Sequence, residues 1–355
     1  SNTTQYYRQE QVVQMQESMR FALEYLKNDL RNAGRLAVTN GFSALNTERD
    51  PKFCQLRQDL RGVELFEEDA NTPRVLTALG NGLQPDRLRL LVDATPVTMS
   101  VARGSGDRLR LAESDRQPTQ EARDLARSRA RFEAAFRPGH YLFVTKSPGF
   151  VDLVPISDSS FDAGGSTIEL NDVLCPGMAA FSSCGGDCMV APVQLIEYRV
   201  RENDDDPLRT ELVRQVIDAR DGQTVVDDLS LTLAEYVIDL QFWATYAVRN
   251  PFAPAPTLPE DVDPTDDVGN LDVPSESDAI NARPQDVRML TVLMAVRTPR
   301  EDPEFTVALG QRDAPPDRVA ADRTWFEVDD AVGSGFARVA TLRAEVETIN
   351  LVRGM

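Results

Sequence analysis

Tyr6–Gly34, YYRQEQVVQMQESMRFALEYLKNDLRNAG, decides how the rest of the chain is read. Val12, Met15, Met19, Leu23, Leu26, Leu30 and Ala33 recur at steps of three and four, the period of one apolar stripe on an α-helix. Arg20 lies four residues before Glu24, and Glu24 three before Lys27, so opposite charges neighbour each other on the polar side. Gly34 follows the last periodic residue, and Lys27, Arg31 and Arg35 cluster around it, the stop signal expected of a helix of this polarity. At 1.5 Å per residue such a helix reaches roughly 42 Å, more than one small domain needs. Part of it is therefore expected to stand clear of the core.

The remaining 35–355 is long enough to bury a substantial core, as one large head or two smaller ones. Hydrophobic residues make up 41% and charged residues 27%, a globular balance, and no apolar run approaches the ~18 residues of a membrane span. A formal charge of −19 repels phosphate backbones and anionic lipid, so no nucleic-acid partner is expected.

After an irregular stretch with a short helix around 55–66, Arg87–Asp93, Val97–Ala102 and Arg108–Leu111 read as short strands, the last two joined by a turn at Gly104-Ser105-Gly106. Residues 119–136 read as a second helix with Arg123, Arg127 and Arg131 one turn apart, either a solvated face or a contact for an acidic neighbour. Further strands follow at Tyr141–Thr145, Phe150–Pro155, Ser166–Leu170, Val193–Val200, Leu212–Arg214, Val237–Trp243 and Val287–Val296. Residues 250–285 hold seven prolines and eight acidic residues against the single Arg283, the composition of a solvated insertion.

Four cysteines, Cys54, Cys175, Cys184 and Cys188, allow three pairings. The two glycines of CGGDC permit the tight turn of a short disulfide loop, which favours Cys184 with Cys188. A zinc site would need Cys175, Cys184, Cys188 and either Cys54 or His140, but those spacings lack the paired knuckles of familiar zinc sites.

Little else suggests chemistry, and no enzymatic activity is expected. The only histidine, His140, sits in the apolar run Gly139-His140-Tyr141-Leu142-Phe143 and reads as a strand-edge residue rather than a general base. Nucleophile elbow, phosphate loop and zinc-protease motifs are all missing from the sequence. The densest ligand pattern is Asp261, Asp263, Asp266 and Asp267. Alternating carboxylates before Gly269 suit a hard cation such as calcium, whereas Pro264 and the lack of a closing Glu favour a plain acidic loop.

The run Glu17-x-x-Arg20-Phe21-Ala22-Leu23-x-x-Leu26-x-x-Asp29-Leu30-Arg31-x-Ala33-Gly34 resembles the segment after the membrane helix in PilW-type minor pilins of type IV pili. Tyr198-Arg199-Val200 with Leu212-Val213-Arg214, Val237–Trp243 and Glu347–Arg353 are similar to strands of that family. Cys54 and the 250–285 insertion depart from its pattern. The opening Ser1-Asn2 reads as a protease scar, so a leader and roughly 20 apolar residues are expected before Thr3 in the full gene.

The resemblance implies a structural subunit that joins other minor pilins, with a tip adhesin as a further partner, in the complex that primes pilus assembly. It implies an inner-membrane and periplasmic subunit that later reaches the pilus tip, held in the membrane by a helix not present in this sequence. J-type minor pseudopilins of type II secretion share the architecture, and a calcium-dependent binding or adhesin module would use the acidic loop instead. The expected fold is α+β: helix 1–34 packed on a mainly antiparallel sheet formed by 35–355. Met15, Met19, Leu23, Leu26 and Leu30 are its packing residues, and Arg20, Asp29 and Arg31 the polar residues that serve assembly or tie the helix to its own head.

Overall fold

The computed structural model describes residues 2–33, 62–66, 85–146, 150–162, 164–170, 184–206, 208–246, 287–300, 325–326 and 337–347. Helix α1 spans Asn2–Asn32. Strands β1 (Val63–Phe66), β2 (Arg87–Asp93), β3 (Met99–Ser105) and β4 (Arg108–Leu111) lead to a 3-10 turn at Ser114–Arg116 and to helices α2 (Gln120–Arg127) and α3 (Arg129–Ala135). Strands β5 (Tyr141–Lys146), β6 (Phe150–Ser160), β7 (Thr167–Leu170), β8 (Cys188–Glu202), β9 (Thr210–Ile217) and β10 (Val225–Glu235) follow. A second sheet is made of β11 (Val237–Tyr246), β12 (Val287–Arg297), β13 (Trp325–Phe326) and β14 (Ala337–Glu347).

Every strand pairing among the described residues is antiparallel. Strands hold 53% of the described residues and helices 22%, so the α+β class expected from sequence is corrected to a mostly antiparallel β-protein, with three α-helices among the described residues. The correction has a physical source. Apolar runs that look short and separate are joined in ladders through one 15-residue strand, β8, which lies at the centre of the larger sheet. The helix is also docked over part of its length only: its buried stripe begins at Met15, while Tyr6 and Val13 are exposed.

Along β8 the molecule changes construction. At its first half, β8 pairs with β5 on one edge and β3 on the other, and β3, β4, β7, β6 and β5 continue the pairing back to β8, a closed circuit of six strands. Alternation along these strands points Met99, Leu109, Ile168, Ile156, Val144 and Val190 to a shared interior. Helices α2 and α3 add Leu125, Phe132 and Phe136 to it. Thr119 caps α2 by accepting from the Ala122 amide at 3.1 Å. The single helix expected over 119–136 is broken at Ser128, whose extended backbone (φ −106°, ψ 105°) separates α2 from α3 and interrupts the arginine row. Gln117, itself buried, receives the Ser100 amide at 2.8 Å and donates to the Ala112 carbonyl at 2.8 Å, satisfying backbone groups that pairing leaves open.

At its second half β8 lies between β2 and β9, and β1 and β10 extend the sheet on either side. The inward row here is Leu65, Leu88, Leu90, Ile196, Tyr198, Val200, Leu212 and Val216. It faces Leu240, Phe242, Leu290, Val292 and Val346 of the second sheet across one core. The chain passes from β10 to β11 at Tyr236, whose left-handed backbone (φ +58°) turns it from one sheet to the other in a single residue. Hydrogen bonds from the Tyr236 amide to Thr210 O (2.6 Å) and from the Arg297 amide to Tyr236 O (3.0 Å) hold that corner. Helix α1 bridges the two sheets, touching β10 and β2 of one and β14 and β12 of the other.

The disulfide expected within CGGDC is formed between Cys184 and Cys188. Gly186 takes φ +93° inside the loop, the left-handed turn that favours glycine, and the Gly104 amide donates to Cys184 O at 2.8 Å, tying the loop to β3. Cys54 and Cys175 lie outside the described residues, as do Gly34, Arg35, the 250–285 insertion and Thr348–Arg353.

Candidate functional site

The helix and the sheet beneath it form the candidate site. Met15, Met19, Leu23, Leu26 and Leu30 are all buried in the core between the sheets, with Ala22 and Ala33 letting the backbone approach closely. Asp29 sits at the edge of this stripe and is also buried. Its Oδ2 accepts from the Tyr198 hydroxyl at 2.5 Å and from Arg214 Nε at 2.6 Å. The carboxylate thus meets one neutral and one charged donor, and the ion pair, 16% and 11% exposed at its two side chains, is largely shielded from solvent.

The electrostatics are consistent with that geometry. Burial pushes the Tyr198 hydroxyl well above its ordinary pKa, and the Asp29 charge adds to the effect, so it stays a donor. Burial works against the charge of Arg214, but Asp29 beside it more than offsets this and its pKa is raised. Arg20 and Arg31, the other polar residues of the motif, are both exposed on α1. Glu24 pairs with Lys27 at 3.2 Å rather than with Arg20.

Tyr198 and Arg214 lie in strands read from sequence, but their partnership with Asp29 is not visible there. A signal did exist. Tyr198 alternates with Ile196 and Val200, and Arg214 with Leu212 and Val216, so both belong to inward rows, where a buried polar group needs a partner.

On the opposite face of the same strands a second polar group is locked. Glu197 is buried and accepts from Arg89 Nε at 2.7 Å and from Gln215 Nε2 at 2.8 Å. The guanidiniums of Arg87 and Arg89 both lie 4.9 Å from the centre of the Phe66 ring. This cluster ties β1, β2, β8 and β9 side by side.

What α1 leaves outward is unusual for a docked helix. Tyr6, Val13, Phe21 and Tyr25 fall within an arc of about 120° at 100° per residue, opposite the buried stripe. Phe21 and Tyr25 remain 48% and 38% exposed, with ring centres 4.8 Å apart. The four side chains stand among the exposed Glu10, Gln14, Glu17, Glu24 and Asn28, so the outward side of the helix is mixed, with large apolar groups set among polar ones.

Asp261, Asp263, Asp266 and Asp267 lie outside the described residues. Among the described residues no three His, Cys, Asp or Glu side chains are grouped to hold a metal ion. No described helix is long and apolar enough to cross a membrane. No family model, curated protein or solved structure matches the chain.

Proposed function

We propose that this chain is a structural minor pilin of the PilW type, which joins other minor pilins in the complex that primes type IV pilus assembly. The observation that carries the reading is the set of large apolar side chains that α1 leaves outward among its polar ones. A helix already anchored to its head by Asp29 and five large apolar side chains still presents Tyr6, Val13, Phe21 and Tyr25 outward. Apolar residues repeated along one helix face suit packing against another helix. The motif from Glu17 to Gly34 supports the same reading. Under this proposal the subunit starts at the inner membrane and periplasm and ends in the extracellular filament, near its tip.

The test is made in the source cell. Phe21→Asp combined with Tyr25→Asp changes two exposed positions, so the purified chain should shift in Tm by no more than about 2 °C. The same double variant is expected to reduce the number of surface filaments. Wild-type filament numbers, both in that strain and in one lacking the gene, would sink the proposal. Normal filaments with failed protein secretion would transfer the subunit to the pseudopilins.

A further inference from the structure

The corner between α3 and β5 carries the only histidine of the chain, His140, and buries it. Its Nδ1 lies 3.0 Å from the Ala135 carbonyl, which can only accept, so Nδ1 carries the proton and Nε2 is the bare lone pair. Nε2 is buried without a hydrogen-bond partner. The backbone of the same corner joins three more elements. His140 N donates to Arg137 O at 3.2 Å, the Ile156 amide of β6 donates to His140 O at 2.8 Å, and the Ala219 amide of the β9–β10 turn donates to Gly139 O at 2.9 Å. Gly139 adopts φ +90°, and a Cβ there would lie 3.6 Å from the Asp218 carboxylate. Any movement of the imidazole is therefore felt by α3, β6 and the β9–β10 turn together.

Among the described residues, the acids on those elements are already held by other partners or exposed. Arg137, at the corner itself, holds Asp228 of β10 in two hydrogen bonds of 2.9 and 3.2 Å. On the turn, Asp218 is held by Arg220 at 2.9 and 3.0 Å, and Asp221 accepts from the Gln223 and Thr224 amides. On α3, Glu133 pairs with Arg129 at 2.8 Å, and Arg131 is a further cation. On β6, Asp158 is exposed and accepts from the Ser159 amide. A second proton on His140 would create a buried charge beside Arg137, with a new N–H and no acceptor.

We infer that His140 is an acid-sensitive latch: protonation at Nε2 expels the imidazole from the corner and loosens α3 from β5, β6 and the β9–β10 turn. Burial lowers the histidine pKa and Arg137 adds to that, while the Ala135 hydrogen bond partly opposes it. The sign follows. The unfolded imidazole titrates near 6.5 and the folded one lower, so the latch is fully closed above about pH 6.5 and weakens as pH falls toward the folded value.

A lone histidine gives one imidazole Cε1–H resonance, so a proton NMR titration of the whole chain reads the latch directly. The expected midpoint lies below 6.5. In the same window the amide protection of Ile156 and Ala219, corrected for intrinsic exchange, should fall by up to about tenfold per pH unit. His140→Gln, neutral at all pH, should abolish that acid response. An imidazole titrating as in a free peptide, protection unchanged while the ring is charged, or the same acid loss in His140→Gln would overturn the inference. The wild-type titration alone decides it if the variant fails to fold.

Discussion

The two ends of β8 solve the same problem in different ways. Around Cys188 and Val190 six strands pair in a closed circuit, and the described residues that fill their interior all lie within 97–190. Around Ile196, Tyr198 and Val200 two sheets face each other without closing, and α1, more than 160 residues away in sequence, covers what they leave open. Local hydrogen bonds from Gln117 complete the first core; a long-range ion pair at Asp29 completes the second. A strand circuit has no open edge inside it, whereas a helix that completes a sandwich can leave while the strands remain paired. The difference teaches where the molecule should open first: at the helix, not at the ring.

Three experiments break or sharpen that contrast. Asp29→Ala strands the Arg214 guanidinium and the Tyr198 hydroxyl in the core, and should cost about 3–5 kcal/mol by chemical denaturation. In native-state hydrogen exchange the loss should appear in α1 amides and leave Leu142 and Val190 protected. Equal loss at all of these sites would mean one inseparable unit. Leu26→Ala or Leu30→Ala should cost about 2–5 kcal/mol, whereas Val13→Ala, on the exposed part of the helix, should stay within about 0.5 kcal/mol. Similar midpoints for Val13→Ala and Leu30→Ala would refute partial docking. Smallest is Cys184→Ser with Cys188→Ser. Removing a five-residue loop closure should cost about 2 kcal/mol in the chain-entropy account, and the exchange change should be confined to the ring, the reverse of the Asp29 pattern.

Much of the helix was legible because its period is local: Met15 to Leu30 announce their face by spacing alone, and CGGDC announces its own loop. What was not legible depends on residues far apart. Asp29 meets donors 169 and 185 positions away, and nothing in its neighbourhood names them. The class was misread for a related reason. Most strands were visible as apolar runs, but not the ladders that join them through β8, and Val63–Phe66, expected within a short helix around 55–66, is strand β1. Strand β10 escaped because Asp227 and Asp228 interrupt its alternation, and the structure places a register shift there, between Val226 and Leu231. The break at Ser128 escaped because the Arg123, Arg127 and Arg131 spacing runs straight across it. The calcium reading of Asp261, Asp263, Asp266 and Asp267 concerns residues outside those described, and the acidic composition stands alone there.

The bridge that α1 makes to β14 has a consequence for biosynthesis. The apolar stripe is made well before one wall of its docking site, Ala337–Glu347. At ribosomal speeds the intervening roughly 300 residues take roughly 15 to 60 s. Throughout that time Met15, Met19, Leu23, Leu26 and Leu30 lack their complete binding surface, and the long sequence separation of the contact also makes it slow to form. Until β14 is made the stripe has only part of its docking site, on β2, β10 and β12, to pack on, so the second core closes only with the arrival of its last wall.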